Sequence, residues 1–166
     1  MNPAMNSFYD PCRAAGLARG AAAAYGNEEG MAAWAREQGC PGCEVVRDDA
    51  TDTLGFVAAN QESAFVVFRG TRDLRNWISD LDCRLRIADC GLGGARVHEG
   101  FSLALDSVWE RVAEMTGRMA AGKRNVFFAG HSLGGALAML ACARSNCELG
   151  MVNSETHIPQ VPRGSF

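Results

Sequence analysis

The residues best placed for chemistry are Gly130-His131-Ser132-Leu133-Gly134, a serine with a glycine two positions away on each side. A serine held on a turn sharp enough to push its hydroxyl outward takes a strained backbone. Side chains two residues away on either side would collide with the neighbouring strand and helix, so only small residues fit at 130 and 134. If a helix opens at Leu133, its first N–H groups point toward the hydroxyl. The Leu133 N–H could then donate to the oxyanion that forms when Ser132 attacks a carbonyl carbon. The chemistry implied is nucleophilic acyl transfer, and it depends on a strand before the turn and a helix after it.

The flanking sequence supplies both. Val126-Phe127-Phe128-Ala129 is apolar without alternation, as in a strand covered on both faces. Residues 134–143 are rich in Ala and Gly and nearly free of polar side chains, which predicts a buried helix close to the sheet. Upstream, apolar residues at 101, 105, 108, 109, 112, 115 and 119 recur with a period near 3.6 and predict a long helix. Residues 54–59 and 64–68 read as two strands of a hairpin, the second belonging mid-sheet. Glu44-Val45-Val46 is strand-like, and Asn27 is a cap for a helix over 27–38. Residues 13–24 permit a helix that their glycines weaken. From Ser145 onward no period is visible and two prolines stand near the end, so 145–166 reads as an irregular tail behind a domain of residues 1–144.

With 166 residues, 48% apolar and 21% charged, one domain with one core is expected. A net charge of -3 and scattered basic residues give no footprint for nucleic acid. No apolar run is long enough for a transmembrane segment, and residues 1–10 lack a secretory signal, which leans the reading toward an intracellular protein. The seven cysteines are an odd number. Cys40-Pro41-Gly42-Cys43 has metal or redox spacing. No second such pair exists to complete a zinc site, and the motif lies between a helix and a strand rather than opening a helix, so it reads as a turn. No metal and no cofactor is expected.

Several blocks in order resemble the class 3 lipase family, the triacylglycerol-lipase type of α/β-hydrolase. They are Val67-Phe68-Arg69-Gly70-Thr71 with Arg75-Asn76-Trp77-Ile78-Ser79-Asp80-Leu81, then Val97-His98-Glu99-Gly100-Phe101, then Gly130-His131-Ser132-Leu133-Gly134-Gly135-Ala136-Leu137-Ala138. The resemblance implies a mostly parallel sheet with flanking helices. It also implies an ester hydrolase, in which Ser132 is the nucleophile and Thr71 joins Leu133 in the oxyanion hole. Leu74, Trp77, Ile78 and Leu81 form one apolar helical face, which the resemblance makes a lid over the cleft. Acyl-ester lipid is the implied substrate, with transient contact at a lipid interface and no nucleic-acid partner.

The triad order expected of this fold is serine, then acid, then histidine. No aspartate follows Ser132 here, since Asp106 is the last in the chain. His131 adjoins the serine, where neighbouring side chains diverge. His98 precedes it, at a motif position outside the triad. Glu148 and His157 have the formal order, but they follow too soon for the strand–helix units that carry an acid and a base to the active end of a sheet. The triad acid and base are therefore expected to be absent, and the fold truncated after the nucleophile helix. The alternative function is a non-catalytic remnant that binds lipid or a partner protein.

Overall fold

The computed structural model describes residues 10–71, 85–87, 96–121 and 125–148. Helix α1 (Pro11–Ala23) starts under an Asp10 cap that accepts from the Cys12 and Arg13 N–H groups, with proline in its first turn. Its glycines do not stop it, because tertiary packing outweighs their modest propensity cost. Helix α2 (Glu28–Glu37) opens as expected on Asn27, whose side chain accepts from Gly30 N–H at 2.9 Å.

Three strands follow, β1 (Cys43–Asp48), β2 (Thr53–Ala59) and β3 (Ser63–Phe68). Short turns join them, so the β1–β2 and β2–β3 ladders are antiparallel. A small hairpin, β4 (Leu85–Ile87) with β5 (Arg96–His98), stands apart as its own two-stranded sheet. Helix α3 (Glu99–Ala121) then carries the chain across, and β6 (Asn125–Gly130) pairs with β3 in parallel. The main sheet is thus mixed, in the order β1-β2-β3-β6.

Helix α4 (Leu133–Glu148) leaves β6 directly. It runs five residues further than the composition predicts and takes 145–148 out of the expected tail. The cause is at its end, where Arg144 Nε donates to Glu148 Oε1 at 2.7 Å and Trp109 Nε1 of α3 donates to Glu148 Oε2 at 2.8 Å. These side-chain contacts hold a turn that has no apolar signal of its own. The remainder of the tail, 149–166, lies outside the described residues.

Alternation along the strands divides the core into two layers. Val46, Val57, Val66, Phe68, Val126 and Phe128 face α3 and α4, where Leu105, Val108, Trp109, Val112, Leu133 and Leu137 meet them. Val45, Phe56, Ala58, Phe65, Val67, Phe127 and Ala129 face α1 and α2. Trp34 of α2 sits edge-on to both Phe56 and Phe65, with centroids 5.5 Å apart. With helices on both faces, β3 is buried from Ala64 to Phe68 and β6, open along its outer edge among the described residues, is half-buried, so neither sequence alternates. No described helix is long and apolar enough to cross a membrane.

Candidate active site

Ser132 stands between the last residue of β6 and the first of α4. Its φ is 56°, and among the described residues other than glycine only Asp52, at 49°, shares the left-handed region. For an L-residue this conformation costs roughly 1–2 kcal/mol, so the surroundings must impose it. They do so through close backbone packing. A Cβ on Gly130 would run into the Gly134 carbonyl and come within 2.8 Å of Gly135 N. A Cβ on Gly134 would strike the Phe68 carbonyl oxygen and lie 2.8 Å from Arg69 C. The elbow is therefore pressed against the end of β3, and both glycines are required by contact.

Behind the serine, α4 begins with Gly134 N–H donating to His131 O at 3.0 Å and Gly135 N–H to Ser132 O at 2.9 Å. The Leu133 N–H belongs to the first turn, which has no intrahelical acceptor for it. Ser132 and His131 are exposed, while Leu133 and Gly134 are buried. The serine is thus exposed directly before a buried helix start.

The β3 exit comes to the same place. Gly70 lies so close to the elbow that a Cβ there would meet the Tyr25 hydroxyl, and His131 O at 2.5 Å. Thr71, the other expected oxyanion residue, is the next in sequence and half-buried. Tyr25, just beyond α1, places its hydroxyl 3.1 Å from His131 Nδ1, with the two rings edge-on. His131 is therefore engaged by Tyr25 through Nδ1. Sequence reasoning gave Tyr25 no role, and a lone tyrosine after a weak helix carries no signal for one.

The remaining candidates separate. Glu148 is bonded to Trp109 and Arg144 at the far end of α4, roughly 22 Å along the helix from Leu133. His98 Nδ1 accepts from Gly100 N–H at 3.1 Å, and its ring tilts against Phe101. His157 and the lid residues Leu74, Trp77, Ile78 and Leu81 lie outside the described residues.

Cys40 and Cys43 are free thiols, and burial pushes both upward from the usual thiol range. Cys43 raises Cys40 further, and Glu28 does the same for Cys43 against a smaller lowering by Arg36. That environment opposes a thiolate, which both redox exchange and zinc binding need. No group of three or more potential metal ligands occurs among the described residues.

The family model described as lipase (class 3) matches residues 65–148, from β3 to the end of α4. A lipase of Rhizomucor miehei is 36% identical over 99 residues, which are 55% of this chain and 26% of that one. The structure of Rhizomucor miehei triacylglyceride lipase has a TM-score of 0.59 at 28% identity, covering 67% of this chain and 43% of that chain. Lipase II from Rhizopus niveus, at 24% identity and a TM-score of 0.68, covers 85% of this chain and 57% of its own, a likeness of fold. The chain thus spans from about a quarter to somewhat over half the length of these relatives. The architecture is that part of the α/β-hydrolase fold which holds the elbow, and the family match extends over half the sequence: the chain belongs to the class 3 lipase family.

Proposed function

We propose that this chain carries the nucleophile of a carboxylic ester hydrolase acting on acyl lipids, triacylglycerols foremost. Ser132 Oγ adds to the ester carbonyl carbon, the hydroxyl proton passes to a base, and the alcohol leaves as an acyl-enzyme forms. Water then releases the acid. The N–H groups of Leu133 and Thr71 hold the oxyanion in both steps, and the helix Leu74, Trp77, Ile78 and Leu81 belong to covers the cleft until it meets lipid. The base and its acid partner are supplied from outside the described residues.

The observation that carries this reading is the left-handed backbone of Ser132 at a strand–helix junction, in a chain of the class 3 lipase family. Strain of this kind is retained where a side chain must be aimed. The name of the Rhizomucor miehei enzyme, a triacylglyceride lipase, supports the substrate class.

Covalent capture of a fluorophosphonate probe is the test. Labelling located at Ser132 by peptide mapping and lost in Ser132→Ala is the expected result. A chain that resists the probe yet binds lipid vesicles would replace catalysis with a binding role. Where turnover is measurable, a rate that rises as dissolved ester becomes an emulsion supports the lid, and a flat response removes it.

A further inference from the structure

Gly70 presents a mechanical problem. Tyr25 and His131 come so close that only glycine fits, yet glycine is the residue at which a peptide group turns over most cheaply. The Gly70–Thr71 peptide is the one whose N–H is required to face the nucleophile. A planar trans peptide fixes the two groups in opposite directions, so whatever holds the Gly70 carbonyl also sets the direction of the Thr71 N–H.

One side chain holds that carbonyl. Arg69 Nε donates to Gly70 O at 3.2 Å, from a side chain only 8% exposed. The guanidinium is itself seated at its other edge, where Nη2 donates to Asp52 O at 2.9 Å and to Asp52 Oδ1 at 2.6 Å. Both acceptors come from Asp52, which adopts the left-handed conformation at the turn before β2. The planar fork therefore bridges the Asp52 turn and the Gly70–Thr71 peptide, which a single point charge cannot do.

We propose that Arg69, anchored by Asp52, is a positioning residue that locks the Gly70–Thr71 peptide with its N–H toward the oxyanion. Resting on the reading of Thr71 as an oxyanion donor, the clamp supplies what glycine at 70 lacks. It acts before substrate arrives, so the donor needs no reorganisation during reaction.

The test compares the 166-residue chain with Arg69→Lys, which keeps the charge and loses the fork, and with Asp52→Asn, which keeps a weaker acceptor at a left-handed site. Two quantities are read: the 13C shift of the Gly70 carbonyl, which reports its hydrogen bond directly, and the rate at which Ser132 takes up a fluorophosphonate. In Arg69→Lys the Gly70 signal should move upfield and the labelling rate should fall about 10²-fold, the cost of one misplaced donor. Asp52→Asn should move both in the same direction by less, and it carries the test if Arg69→Lys does not fold. An unmoved Gly70 carbonyl overturns the clamp, as does a moved carbonyl with an unchanged labelling rate. A wild-type chain that takes up no probe refutes the hydrolase reading instead, and the carbonyl shift then decides the clamp alone.

Discussion

At the scale of single residues, Ser132 bears a conformational cost that its neighbours impose. Its φ of 56° is comfortable only for a residue without a Cβ. Replacing it with glycine should remove the strain and stabilise the fold by about 1 kcal/mol. Ser132→Ala, which keeps the Cβ, should leave stability unchanged. Urea midpoints of the two variants against wild type read the difference, and equal midpoints for glycine and serine would show that the backbone is relaxed there. The general sense of such a result is that function, and not stability, selects the serine.

Among the elements, the turn from α2 to β1 carries a pH dependence. Cys40 and Cys43 both have thiols raised from their ordinary range, chiefly by burial. Above the unfolded thiol range the folded chain retains protons that the unfolded chain has lost, so stability falls with rising pH. Their contribution is fully present below that range and disappears as pH passes upward through the raised folded values. For the reduced protein, urea midpoints should therefore be flat from neutral to mildly basic pH and decline above about 9. The Cys40→Ser/Cys43→Ser variant should decline less, and parallel curves would assign the loss to other groups. The α3–α4 junction teaches a related lesson. Its last turn is held by Trp109 and Arg144 acting on Glu148, with the Arg144 guanidinium also 4.6 Å over the Trp109 ring.

For the whole molecule, the decisive feature is the outer edge of β6, which pairs with no other strand among the described residues. A groove of about 810 Å³ runs along it, walled by Ala14, Leu17 and Ala18 of α1 and by Ala138, Met139 and Cys142 of α4. Met139 is 76% exposed there. An apolar strand edge of this kind is a template for association between chains. The 166-residue chain should lose monomer as concentration rises, and Met139→Lys should recover it with little change in melting temperature. Sedimentation reads the outcome, and a monodisperse wild-type monomer with a sharp melt would end this expectation.

Sequence by itself determined the elements that pack by pattern and the serine at their junction. Unbroken apolar runs at 64–68 and 126–129 meant strands covered on both faces, and the 3.6-residue period after Phe101 meant a helix, because periodicity follows directly from backbone geometry. The elbow was legible because a strained turn admits so few residue types. Tertiary structure alone decided what lies between elements distant in sequence. Arg69 stood in a family-like block with no role of its own until Asp52, 17 residues earlier, was placed beside it. Tyr25 meets His131 across 106 residues, and the last turn of α4 depends on a tryptophan 39 residues away. Such contacts carry no local period, since they arise only once the sheet has set the register of β3 against β6.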